Sequence, residues 1–183
     1  MPDRAAIFID GAYLEYVLRD EFNSSPIDFR ALSLAMAGQA DILRTYYYHC
    51  PPYQGNPPTQ EESRRYAARR SFYTALDRLP RFSVRLGRLA PRGLELDGTP
   101  RYEQKRVDIL LGVDLVLLAA KGQIQQAILF AGDSDFIPAV EIARNEGVLV
   151  RLFHGNNCHS DLWQEVDERV KIDQSFITPI IRP

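Results

Sequence analysis

Two apolar stretches of this chain run straight into aspartate: Ile7-Phe8-Ile9-Asp10, and Ile128-Leu129-Phe130-Ala131-Gly132-Asp133 with Asp135 two positions on. In open α/β sheets, ligands bind beyond the carboxyl ends of parallel strands, so Asp10 and Asp133 share one crevice if their strands are neighbours. Asp108 lies near the start of an apolar segment, Lys105 to Lys121, and joins the same group if that segment is a helix pointing its first turn at that end of the sheet. Clustered carboxylates repel one another, and desolvation makes the repulsion worse. A divalent cation relieves it, and an all-oxygen donor set selects hard ions such as Mg²⁺ or Mn²⁺ over zinc. Such ions activate water, polarise phosphorus and stabilise a leaving oxyanion, which is the chemistry of phosphodiester hydrolysis.

Each aspartate also has a plainer explanation. Asp10-Gly11 is a fair strand-to-helix turn. Asp133-Ser134-Asp135 is a fair helix start, with Asp135 as the simplest N-cap. Asp108 suits the positive end of a helix dipole. Asp114, six residues past Asp108, lies about 9 Å further along a helix axis and about 120° away around it, so the two are not twin ligands on one face. A carboxylate among leucines needs a partner, and Asp114 is expected to hold a backbone or hydroxyl donor. The metal-site expectation therefore rests on the joint pattern of Asp10, Asp108, Asp133 and Asp135.

The elements that must position these residues follow from the hydrophobic periodicity. Strands are expected at 5–9, 42–49, 127–131 and 148–153, a half-buried strand through Phe82, Val84, Leu86 and Leu89, and a last short strand at 170–172. Helices are expected at 12–21, 27–38, 61–79, 105–121, 136–145 and 161–167, with Gly38 and Gly147 as stops. The 105–121 helix is apolar nearly all round and should be buried. Cys50 to Thr59 holds four prolines and reads as a loop, and Asp97-Gly98 as a turn that closes a hairpin. Short apolar strands alternating with helices argue for one α/β domain over residues 1–183 with a mainly parallel sheet between helix layers.

The 183 residues carry a formal net charge of -2, which gives no hint of a polyanionic partner. The charge is uneven, however: residues 61–106 are net +6 and the remainder -8. Such a division marks either a polyanion-binding surface or a solvated helix face. Arg64, Arg65, Arg69 and Arg70 share one face of the long helix, with Glu61 and Glu62 as alternative partners. Tyr48 and Tyr53 are candidates to stack a base. His154 can approach the crevice from a strand end, whereas His49 and His159 are weaker acid–base candidates. Cys50 and Cys158 form no CxxC pair, which argues against zinc and a disulfide framework and for reduced thiols in the cytoplasm. No signal peptide or membrane-length apolar segment is read in the sequence. Nor does a G-x-S-x-G elbow or phosphate-binding glycine loop occur, so nucleotide-cofactor chemistry lacks support.

Ile7 through Leu14, Lys105-Arg106-Val107-Asp108 with Asp114, and Ala131 through Pro138 together resemble the NYN domain family, in its LabA-like (DUF88) branch of PIN-like nucleases. The segment from Ser160 and Leu162 to Val166-Asp167 resembles the family's last motif. The resemblance implies a three-layer α/β/α sandwich and a Mg²⁺- or Mn²⁺-dependent ribonuclease, with Asp10, Asp108, Asp133 and Asp135 as metal-site and catalytic positions. It gives Asp114 and Ser134 secondary places, and Lys105, with Arg106 beside it, a contact to phosphate. RNA, single-stranded or structured, is the implied partner, and a homodimer the implied assembly. Tyr13 stands where many members carry Asn, and it either stacks or packs. Two other readings compete: a catalytically weak or inactive module that binds RNA or a protein partner, and a small-molecule phosphatase. The phosphatase reading is weakened because Asp10 has no second aspartate two positions later.

Overall fold

The computed structural model describes residues 2–94 and 100–182, with Pro100 and Gln104 described through their backbone only. Its strands are β1 (Arg4–Asp10), β2 (Asp41–His49), β3 (Phe82–Leu86), β4 (Arg88–Leu94), β5 (Pro100–Lys105), β6 (Gln126–Phe130), β7 (Leu149–His154) and β8 (Glu168–Lys171). Its helices are α1 (Gly11–Glu21), α2 (Phe29–Ala37), α3 (Gln60–Asp77), α4 (Val107–Ala120), α5 (Ile137–Asn145), α6 (Ser160–Glu165) and α7 (Gln174–Ile177). A 3₁₀ turn, Ser134–Phe136, precedes α5.

Six strands form one parallel sheet in the order β3-β2-β1-β6-β7-β8. β1 and β6 lie at its centre and are covered on both faces, which explains why both read as unbroken apolar runs instead of alternating ones. One face carries Leu14 and Val17 of α1, Phe29, Leu32 and Met36 of α2, and Tyr73 and Leu76 of α3. The other carries Val107, Leu111, Leu115 and Leu118 of α4, Ala139, Val140 and Ala143 of α5, and Leu162 of α6. The molecule is thus the expected three-layer α/β sandwich. α3 starts with a capping box, in which Thr59 Oγ1 accepts from Glu62 N while Glu62 Oε2 accepts from Thr59 N.

Two expectations are corrected. The strand expected through Leu89 breaks at Gly87, where a β-carbon would sit 2.5 Å from the Lys105 carbonyl oxygen. Beyond that crossing the chain leaves the main sheet as the antiparallel ribbon β4–β5, with Arg88 opposite Lys105. The Asp97-Gly98 turn lies outside the described residues. Second, α4 is not buried all round: Ile109, Val113 and Leu117 are 69%, 57% and 45% exposed. They line an open groove of about 730 Å³ against Pro138 and Ile142 of α5, with Asp108 and Asp135 at its rim. The reason is layering: α4 packs on the sheet through one face and against α5 through its flank, and no described element covers its outer side.

Candidate metal centre

From β1 the chain builds outward through β2 to β3, and from β6 it builds the other way through β7 to β8. The β1/β6 boundary is therefore the topological switch point, where open α/β sheets leave a crevice at the carboxyl ends. β1 and β6 pair in parallel, with Ile9 opposite Phe130, so Asp10 and Asp133 leave neighbouring strand ends. Each caps a helical segment. Asp10 Oδ1 accepts from Ala12 N at 3.0 Å and Tyr13 N at 3.1 Å at the start of α1. Asp133 Oδ1 accepts from Asp135 N at 3.1 Å at the start of the 3₁₀ turn. The N-cap is thus Asp133, not Asp135 as the sequence suggested, because the tight 3₁₀ turn begins at Ser134 and takes Asp135 into its own backbone. In each cap a single oxygen is engaged. The cap fixes the side chain and leaves Oδ2 without a hydrogen bond among the described residues.

The electrostatics suit this arrangement. Burial pushes the Asp10 carboxyl up to about 6; the Asp108 charge adds to the rise, while the Tyr13 and Ala12 N–H groups and His49 oppose it. Asp108, in the first turn of α4, is also raised, by desolvation and then by Asp133 and Asp135. The four carboxylates therefore sense one another in the chain Asp10–Asp108–Asp133/Asp135, and none of the four has a salt bridge among the described residues. A hard divalent cation fits this donor set in kind: all oxygen, mutually repelling and unpaired. The side chains do not close into a cage unaided. Among the described residues, no three His, Cys, Asp or Glu side chains are placed to hold an ion together.

The sequence model of the NYN domain family matches residues 4–173. The chain belongs to the NYN domain family. Membership brings a nuclease-like function with it. Over 79 residues the chain is 35% identical to the uncharacterized protein y4oD of Sinorhizobium fredii, a match that covers 43% of this chain and spans 33% of the length of that relative. The fold is similar to the crystal structure of VPA0982, a protein of unknown function from Vibrio parahaemolyticus, at a TM-score of 0.67 and 20% identity over 96% of each chain.

Other expected residues of this NYN domain fall into place around the crevice or away from it. Asp114 is part-buried on the flank of α4, where its Oδ2 accepts from Tyr48 Oη at 2.9 Å and Arg85 Nε at 3.2 Å. Its charge is thus answered by partners within the chain. Tyr48 is spent on this bond and is fully buried, so it offers no face to a base. Tyr13 packs: its ring lies over the Gly132 backbone, where a β-carbon would approach to 2.2 Å, and its Oη accepts from Gly155 N at 3.2 Å. Burial drives its phenol well above the ordinary value, so it stays protonated. Ser134 opens the 3₁₀ turn, half-buried. His154 is buried with Nδ1 at 2.8 Å from the Gly155 carbonyl, and His159 caps α6.

The arginines of α3 are mostly engaged. Arg64 pairs with Glu61 at 2.7 Å, Arg65 approaches the same carboxylate at 4.0 Å, and Arg69 grips Glu15 with two bonds of 2.5 and 2.7 Å. Arg70 and Arg106 are exposed and make no ion pair among the described residues. Lys105 stands 3.9 Å from Glu103.

Sequence reasoning missed the Arg69–Glu15–His49 network beside Asp10. His49 Nδ1 lies 2.8 Å from both the Cys50 N–H and the Cys50 carbonyl oxygen, and its Nε2 lies 3.3 Å from Glu15 Oε2. Partial burial raises the Glu15 carboxyl, but the neighbouring His49 and the Arg69 hydrogen bonds outweigh it and hold it at about 2. Gly11 makes room for this network, since a β-carbon there would meet the Tyr47 and His49 rings within 2.7 Å. The only signal available was Glu15 five residues past Asp10; its partners lie 34 and 54 positions away. Cys50 was missed as a neighbour too: burial raises its thiol, and the charges of Asp108 and Asp10 add to the rise.

Proposed function

We propose that this chain, as one domain over residues 1–183, is a divalent-metal-dependent endoribonuclease of the LabA-like branch, acting on RNA in the cytoplasm. The observation that carries this reading is the pair Asp10 and Asp133, fixed by their own caps at neighbouring strand ends of the switch point, each with a second oxygen to spare. Asp10 and Asp133 are the central ligands for Mg²⁺ or Mn²⁺, and Asp108 and Asp135 complete the shell or orient water. When bound, the ion supplies an activated water and a polarised phosphorus for in-line attack, with no covalent enzyme intermediate. The chain's own contribution is positional. The α1 and 3₁₀ caps hold the two inner carboxylates, and Tyr13 ties the ends of β6 and β7 together through Gly132 and Gly155. In this proposal Lys105, Arg106 and Arg70 meet phosphates.

A second reading, a non-catalytic module that binds RNA or a protein, is favoured by Tyr13 lying over Gly132 beside Asp133 and by the apolar α4/α5 groove that adjoins Asp108. Cleavage of a mixed RNA panel with Mn²⁺ separates the two. Wild type should cut, and Asp133→Asn should lose at least about a hundredfold, as for other groups that stabilise charge in the transition state. Equal cleavage by both proteins removes the nuclease reading, and RNA binding by a wild type that does not cut favours the second.

A further inference from the structure

The ribbon β4–β5 takes no part in the main sheet, packs into neither core layer with its outer strand, and has no place in the metal centre. Its composition is one-sided. Across the described residues 88–94 and 100–106 there are five cations, Arg88, Arg92, Arg101, Lys105 and Arg106, against the single carboxylate Glu103. Counting Glu95 and Asp97 as well, the segment from 88 to 106 keeps a net charge of +2. Glu103 binds Arg92 and stands 3.9 Å from Lys105, while Arg88 and Arg106 are exposed without an ion pair among the described residues. Arg88 lies opposite Lys105 in the ribbon register, so three cations gather at its foot: Arg88, Lys105 and Arg106. That foot is also the threshold of the crevice. Arg106 takes a left-handed backbone conformation (φ 77°) that turns the chain from β5 into α4, and Asp108 follows within the first turn.

An aromatic pair stands at the same ribbon, its Tyr102 three residues before Lys105 along β5 and opposite Pro91. Tyr53, from the proline-rich loop after β2, meets Tyr102 of β5 with ring centroids 4.9 Å apart and planes tilted by 32°. Tyr102 is 39% exposed and Tyr53 partly so, in contrast to the buried Tyr46, Tyr47 and Tyr48.

We infer that the β4–β5 ribbon is the arm that holds a single-stranded polynucleotide: Arg88, Lys105 and Arg106 track the phosphates into the crevice and the Tyr53–Tyr102 pair stacks a base. Charge decides for a polyanion, and the exposed rings decide for a single strand, since a duplex keeps its base faces covered. The inference rests on the nuclease reading for its direction, toward Asp108, but binding tests it separately from cleavage.

The experiment measures fluorescence anisotropy of a labelled 20-nucleotide oligouridylate in EDTA, with cleavage of the same strand in Mn²⁺ assayed alongside. Variants are Arg88→Gln/Arg106→Gln and Tyr102→Leu, with Arg30→Gln on α2 as a charge-removal control away from the ribbon and circular dichroism to check the fold. The double variant should bind about tenfold or more weakly and lower the slope of log K against log salt by about 1.4, at ~0.7 per phosphate contact on a single strand. Tyr102→Leu should lose about tenfold with the salt slope unchanged. Arg30→Gln should bind as wild type does. Wild-type affinity and salt slope in both ribbon variants overturn the arm, and if cleavage persists the nuclease reading survives that result. Preference for a duplex of the same length also overturns it. A wild type that cuts but shows no ribbon dependence, and one that neither binds nor cuts, are thus different failures.

Discussion

Asp10 and Asp114 are both partly or largely buried carboxylates against the same sheet, and the fold treats them in opposite ways. On the α4 flank, Asp114 accepts from the Tyr48 hydroxyl and Arg85, so its charge is answered within the chain. In the crevice, Asp10 receives two backbone N–H groups on one oxygen and no salt bridge among the described residues, and its carboxyl rises to about 6. Burial alone does not distinguish a carboxylate whose charge is answered within the chain from one whose charge is not. What distinguishes them is whether the surroundings supply a cation. Glu15 is a third case, close to the crevice yet held at about 2 by His49 and Arg69, and so belongs with Asp114.

The largest break in this comparison should come from Asp10→Asn. The wild-type group has a folded pKa of about 6 against an ordinary 3.8, so the folded state binds the proton more tightly. Below about pH 3 the carboxyl is neutral in both states and costs nothing. Between 3.8 and about 6 the unfolded state releases the proton and the folded state holds it, so wild-type stability falls across that window and is level above it. Asparagine keeps the cap acceptor without the charge. Asp10→Asn should therefore be more stable than wild type at pH 8 by on the order of 3 kcal/mol, and equal to it near pH 3. Urea unfolding in EDTA at both pH values checks this, and a variant no more stable at pH 8 would show that Asp10 carries no desolvation cost. Mn²⁺ should raise the stability of wild type but not of this variant.

Asp114→Ala should move stability the other way, by about 2 kcal/mol, since the buried Tyr48 hydroxyl loses a charged acceptor. It should leave the stabilisation by Mn²⁺ intact. Loss of that response on removing Asp114 would instead place this residue among the ligands. The smallest effect belongs to Arg69→Ala. Its ion pair with Glu15 is more than a third exposed on both sides, so screening limits the loss to about 1 kcal/mol or less. A salt titration of its stability should show that loss shrinking as ionic strength rises.

Much of the fold was legible because its signals are local. Continuous apolar runs marked β1, β6 and β7, helical spacing of apolar residues marked α1 and α3, and the aspartates at two strand ends marked the crevice. Cap and ligand stood as competing explanations of Asp10 and Asp133 in the sequence. They are compatible in three dimensions, because a cap uses one carboxylate oxygen and leaves the other.

Residue type and spacing by themselves determined the parallel sheet, the aspartates at its carboxyl ends and the need of Asp114 for a backbone or hydroxyl donor. Tertiary structure alone decided which charges are spoken for. Arg69 looked like part of a basic face until Glu15 came to it from 54 residues away, and Arg88 and Arg106 stayed open because the ribbon leaves the sheet at Gly87. It also decided that the apolar helix α4 shows Ile109 and Val113 outward, since a three-layer stack covers only the inner side of each outer helix. The physical reason is range. Caps, periodicity and turns act within a few residues, whereas charge pairing and layer coverage depend on neighbours that the chain supplies from anywhere along its length.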